Sequence, residues 1–272
     1  MSVSVDVPGH GNFDIALTSS STAADMIFLL RERLPDSPWH GNKVLSSGVC
    51  QLQCDDIVEA TRHSTLVLTN YSEITNQEAF CIEDTAERGI TREQLAKIVA
   101  FISKMADRWC ETFGEQCGTR LQFETFNLYH ANHWIIKPAT EDGYAKKGCS
   151  MVELMAIQVQ RPHWFVSHAW IDVMIDESQC IALKHVQFCV GQICEEPVCK
   201  FLACLEQHAL VRELSSSTFY WVCAYANNQH CVEEDIKSNP RSTSFYRAMQ
   251  MSEGVLLVLD SAGTPFDHSY FL

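Results

Sequence analysis

The sequence predicts two modules, an α+β module followed by an α/β module with a parallel sheet. Three observations carry this. Residues 2–7 and 13–17 alternate apolar and polar with period two, as half-buried strands do. Residues 21–34 read as a capped amphipathic helix. Three apolar runs, at 163–168, 219–225 and 255–259, each end abruptly in polar residues. Such runs fit strands covered on both faces of a parallel sheet.

In the first module, Gly9-His-Gly11 supplies the turn of a hairpin. Ser21 or Thr22 caps the helix, whose apolar positions are Met26, Ile27, Leu29, Leu30 and Leu34. Pro35 and Pro38 end it. Residues 43–45 and 65–68 are further short strands, and 55–59 is a short helical turn. This order, with the Gly48 turn after Lys43-Val-Leu-Ser-Ser, resembles a ubiquitin-like β-grasp over residues 1–72. Asn70-Tyr-Ser-Glu stands where a conjugatable modifier has its Gly-Gly tail, so the resemblance implies an interaction domain.

Residues 73–149 form a linker and helical connector, the polar linker stretch running over 69–85. Thr91 and Gln94 have capping-box spacing at the start of a helix. Its apolar stripe is Leu95, Ile98, Val99, Ile102, Met105, Ala106 and Trp109, ended by Gly114 or Gly118. A second helical stretch covers 125–136, and 138–148 reads as a loop. Residues from Ser150 onward start a short helix.

Residues 150–272 form the α/β module. Between its strands lie helices over 199–212, with Phe201, Leu202, Leu205, Ala209 and Leu210 inward, and over 240–251. Strand, helix, strand in this order implies right-handed parallel crossovers. Ligands of open parallel sheets bind outside the carboxyl ends of the strands. Those ends carry Ser167, His168 and Trp170, then Asn227, Asn228 and Gln229, then Asp260, which makes them the candidate ligand-binding residues.

The motifs FVSHAW (165–170), YWVCAYANNQH (220–230) and SFYRAMQMSEGVLLVLD (244–260) resemble a group of algal and protist proteins whose core is similar to a diverged Toll/interleukin-receptor (TIR) domain. The resemblance implies a flavodoxin-like parallel sheet with flanking helices. It is incomplete here, since three strands are legible where that fold has about five. Residues 171–194 stand as an insertion: an extra strand pair, a disordered loop or a gene-model error. The helix that carries the catalytic glutamate of NAD-cleaving TIR domains is expected beyond residue 272.

Other chemistry is weakly supported. Asp260 at a strand end is the stand-in carboxylate for NAD glycohydrolysis, but an Asp there is usually a cap or turn former. Cys223 with His168 or His230 is a conceivable nucleophile pair, yet a thiol inside an apolar strand is inert. His130 and His133 share a helix face without a third metal ligand. Cys189, Cys194, Cys199 and Cys204 recur every five residues, so on a helix they point around the axis. No metal is expected. Asn227 and Asn228 also suit a tight turn with positive φ.

The chain has 272 residues, 46% hydrophobic, and a net charge of −14 from 34 acidic against 20 basic residues. That surface repels nucleic acid and anionic membranes. No signal peptide and no spanning segment is legible. The 13 cysteines fit buried, reduced thiols of a cytoplasmic protein, or a nuclear one. The expected function is protein–protein interaction in intracellular signalling, without catalysis or cofactor. Partners dock on the ubiquitin-like sheet face, with self-association through the TIR-like module. The alternative is a nucleotide-binding or NAD-cleaving enzyme, with NAD as its ligand. A damaged, non-functional gene product is the third reading.

Overall fold

The computed structural model describes residues 2–18, 20–35, 43–47, 50–52, 58, 65–113, 121–141, 148–167, 186–190, 197–232 and 240–259. The chain divides into two compact units. One comprises Met1–Gln77 and Phe101–Phe123, the other Glu78–Ala100 and Glu124–Leu272. Both are mixed α and β, and each is built on a five-stranded sheet.

In the first unit, β1 (Ser2–Val7) and β2 (Gly11–Ala16) form the expected hairpin. Its turn uses Gly9 at φ 85° and Gly11 at φ 89°, a region where an L side chain is strained. Helix α1 (Ala23–Arg33) follows, with β3 (Lys43–Ser47), β4 (Cys50–Leu52) and β5 (Thr65–Asn70). The strand order is β2-β1-β5-β3-β4, and β1 runs parallel to β5 at the centre. Thr22 caps α1 through a reciprocal capping box with Asp25. Met26 and Leu30 of α1 pack on Val3, Val5, Leu66 and Leu68. Leu29, expected inward, is 38% exposed, and Phe28 beside it is 58% exposed. Positions 23, 26 and 30 define the buried stripe, and 29 is rotated off it. The predicted turn at 55–59 lies outside the described residues except for Val58, which is buried.

Helix α2 (Arg92–Phe113) contributes residues to both units. Its expected capping box is present: the Gln94 amide donates to Thr91 Oγ1 at 3.0 Å, and the Thr91 amide donates to Gln94 Oε1 at 2.9 Å. Within the first unit, its later half covers the sheet face opposite α1. There Val67 and Thr69 are buried, Arg108 pairs with Asp6 at 2.7 Å, and Phe101 meets Tyr71 at 5.7 Å between ring centroids. The stretch read as a linker from 69 therefore starts inside the core. Thr69 and Asn70 complete β5, and Tyr71 is buried because it packs under this helix.

In the second unit, β6 (Ile90–Thr91), β7 (Trp164–Ser167), β8 (Val186–Val190), β9 (Phe219–Trp221) and β10 (Gly254–Leu259) form a sheet in the order β6-β9-β7-β10-β8. The three strands read from sequence are parallel neighbours in it. Part of the presumed insertion is β8, parallel to β10 at the sheet edge. Numbered along the chain, the four parallel strands run 3-1-4-2, whereas a flavodoxin-like sheet runs 2-1-3-4-5.

The helical stretch after residue 125 consists of α3 (Leu128–Ala131), a π turn at Asn132–Ile136 and α4 (Lys137–Thr140). Pro138, expected in a loop, lies in α4. It has no N–H to give, and the wide turn before it absorbs the lost bond. His130 Nδ1 accepts from the Asn127 amide, so this histidine closes a helix cap. Helices α5 (Met151–Met155), α6 (Val198–Val211), α7 (Cys223–Ala226) and α8 (Ser244–Met251) complete the unit.

The sheet is covered on both faces, as its apolar strands require. Phe165, Trp221 and Val255 pack with Ala248 of α8 and with Ala86. On the other face, Trp164 and Tyr220 hold His208 of α6, with the Trp164 and His208 rings 4.3 Å apart. His208 takes the inward place expected for Leu210, which is 74% exposed. Positions 201, 205, 208 and 209 form one stripe, and position 210 points away from it.

Two predictions follow from this packing. Leu30→Ala should destabilise the chain by about 2–5 kcal/mol in urea unfolding, and Leu29→Ala by less than about 0.5 kcal/mol. Burial, helped by the Arg212 and Arg92 cations, pushes His208 down to about 4. The unfolded chain, with an ordinary histidine near 6.5, then binds the extra proton between those values. Stability should fall as pH drops from about 6.5 to about 4, by at most about 1.36 kcal/mol per pH unit from this group. His208→Gln, followed by unfolding at each pH, should flatten that slope.

Candidate functional site

Ser167 ends β7 opposite Leu257 of β10 and is half-buried. The run expected as one strand over 219–225 breaks after Trp221. Val222 is still extended, and α7 starts at Cys223. Cys223 is therefore buried in a helix rather than in a strand, with its neighbours Ala226, Trp221 and Ala248. The switch brings Asn227 to the C-terminal cap of α7.

Asn227 is buried, and its Oδ1 accepts from Ser244 Oγ at 3.3 Å. Gln229 Nε2 turns back to the carbonyls of Cys223 and Asn227. Asn228 Oδ1 accepts from the His230 amide at 3.0 Å. The turn needs no left-handed residue, contrary to expectation. Asn227 sits at φ −80°, and among the described non-glycine residues only Glu213 has positive φ.

Asn227 and Asn228 line a cavity of about 370 Å³ together with Cys81, Arg88, Cys149 and Glu153. Ser167 and Gln229 are not among its described lining residues. His168, Trp170 and Asp260 lie outside the described residues. The structure thus brings together two of the seven candidates and adds residues from segments far away in sequence.

The floor of the cavity is set by Glu153. It lies in α5, inside the apolar run Met-Val-Glu-Leu-Met, and its side chain is 5% exposed. One carboxylate oxygen accepts from the Ser150 amide at 2.9 Å and from Ser150 Oγ at 3.0 Å, which makes a capping box. The other accepts from the Ile82 amide at 3.2 Å and pairs with Arg88 at 3.2 Å. Arg88 also donates to the Ile82 carbonyl from Nε at 2.9 Å and Nη2 at 2.6 Å, and from Nη1 to the Ala226 carbonyl at 3.5 Å. A buried carboxylate and a largely covered guanidinium are thus paired and hydrogen-bonded, as burial requires. Both are engaged in holding loops.

Sequence reading missed Arg88, Glu153, Cys81 and Cys149. Two signals were available: Ser150-Met-Val-Glu153 has capping-box spacing, and a lone glutamate among methionines and leucine needs a partner. Cys149 is buried, and its thiol is pushed up to about 12 by burial and the nearby Glu153 charge, partly offset by Arg88. Cys81 is exposed rather than buried, on the irregular segment that precedes the 3-10 turn at Thr85–Glu87. Among the described residues, no group of three or more His, Cys, Asp or Glu side chains has metal-holding geometry. None of the described helices is long and apolar enough to cross a membrane.

No family model matches the chain, and no curated protein is similar to it. The class defined by fold and cavity is a two-unit mixed α/β protein.

Removing the buried charge should be costly. Glu153→Gln leaves Arg88 without its counter-charge, and a loss of about 3–5 kcal/mol is expected in denaturant unfolding. Glu87→Gln, which breaks only the pair with the largely exposed Arg161, should cost less than about 1 kcal/mol.

Proposed function

We propose that the chain is an intracellular protein–protein interaction module joining a ubiquitin-like unit to a TIR-like α/β unit. The observation that carries this is the first sheet. Its order β2-β1-β5-β3-β4, with β1 and β5 parallel at the centre and α1 packed across one face, supports the β-grasp reading. Parallel strands covered by helices on both faces support the TIR-like reading. The order of those strands differs from the flavodoxin-like one, so this half rests more on the motifs at 165–170 and 220–230.

The docking face proposed here is not the sheet face expected of the sequence. The sheet face opposite α1 is occupied by the later half of α2. Docking through the first unit is therefore assigned to the outward side of α1, where Phe28 and Leu29 stand exposed. A binding role also suits the cavity in the second unit, whose charged pair is spent on holding loops rather than left poised for proton transfer.

The test uses the purified full chain. Incubated with NAD and followed by chromatography, it should release no nicotinamide above a blank. In sedimentation velocity it should self-associate as concentration rises. Nicotinamide release that His168→Ala abolishes would contradict the interaction reading and favour an NAD-cleaving enzyme. A monomer at every concentration would remove self-association from the proposal.

A further inference from the structure

Three of the six cysteines whose surroundings are described, Cys81, Cys149 and Cys231, line the one cavity of about 370 Å³. They come from three separate segments, and specific bonds bring these together. The amides of Ile82 and Ser150, each directly after a cysteine, donate to the two oxygens of the single Glu153 carboxylate. The segments of Cys149 and Cys231 meet at Thr140. The Cys149 amide donates to the Thr140 carbonyl at 3.2 Å, and Thr140 Oγ1 lies 2.9 Å from His230 Nε2. A side chain on Gly148, which has φ +68°, would strike the His230 ring, so the two strands of chain are in close contact.

The three thiols differ in access. Cys81 is exposed, Cys231 is half-buried and Cys149 is buried. Thiol exchange needs access and a thiolate, so the outer two are the reactive candidates and Cys149 is a bystander.

We propose that this cavity is a redox-responsive thiol centre in which Cys81 is modified by a low-molecular-weight disulfide and Cys231 resolves the adduct. This goes beyond the interaction reading and does not depend on it. In the first step the Cys81 thiolate attacks one sulfur of RS–SR. A Cys81–S–S–R bond forms, and RS⁻ leaves and takes up a proton. In the second step the Cys231 thiolate attacks the Cys81 sulfur, forms the Cys81–Cys231 disulfide and releases the second RS⁻. Two protein thiols are oxidised and one small disulfide is reduced to two thiols. The cavity gives the added group its room; the Glu153 clamp ties the Cys81 segment to that of Cys149, and Thr140 ties the latter to that of Cys231, while the bond changes hands.

The test treats the reduced full chain with glutathione disulfide, quenches with acid and maps cysteine adducts by peptide mass spectrometry. Cys81 should be modified at least about tenfold faster than Cys199 and Cys204, the half-buried thiols of α6 that do not line the cavity. A Cys81–Cys231 linked peptide should then appear. Cys231→Ser should arrest the protein at the Cys81 adduct, Cys81→Ser should remove both products, and Cys149→Ala should change neither. Cys81 lies at the surface, so its serine variant keeps the core intact. Modification of Cys199 or Cys204 at the rate of Cys81 would overturn the proposal. A Cys81 adduct that persists in the parent chain without a linked peptide would overturn the role of Cys231.

Discussion

The second unit depends on one buried carboxylate. Glu153 gives one oxygen to the amide and hydroxyl of Ser150, and the other to the Ile82 amide and Arg88. An unpaired charge at that depth would be excluded, so every one of those donors has to be present. The requirement fixes the loop at 81–88, the start of α5 and, through Arg88, the carbonyl of Ala226 at the end of α7. Those same segments form part of the cavity wall, and the chain from Asn227 to Val232 completes it.

The candidate site moved because one strand is shorter than its apolar run. Strand ends were expected to converge, but β9 stops at Trp221 and the chain turns into α7. Asn227 and Asn228 are carried past the strand end to the cavity, while Ser167 stays at the end of β7. Their polar atoms go largely to local bonds with Ser244 and His230, which define the turn.

Much of the fold was legible because it is local. Period-two alternation gave β1 and β2, and the Thr22 and Thr91 caps marked two helix starts. The apolar runs gave β7, β9 and β10. What failed was local ambiguity or long range. An apolar run of seven residues does not say where a strand becomes a helix, so the start of α7 was read as strand. The inward set read for this helix held Leu210 and omitted His208, whereas the aromatic pair Trp164 and Tyr220 makes a place for a neutral imidazole. Glu153 meets Ile82 across 71 residues of sequence, a distance no spacing rule reaches. For the site, the asparagines were visible, and the thiols and the ion pair that complete it were not.

The most direct measurement is native-state hydrogen exchange at the Ile82 and Ser150 amides. If the carboxylate holds both, they exchange slowly in the parent chain and lose protection together in Glu153→Gln, while amides of β1 and β5 in the other unit keep theirs. Rapid exchange of either amide in the parent chain, or protection that survives the substitution, would contradict the clamp.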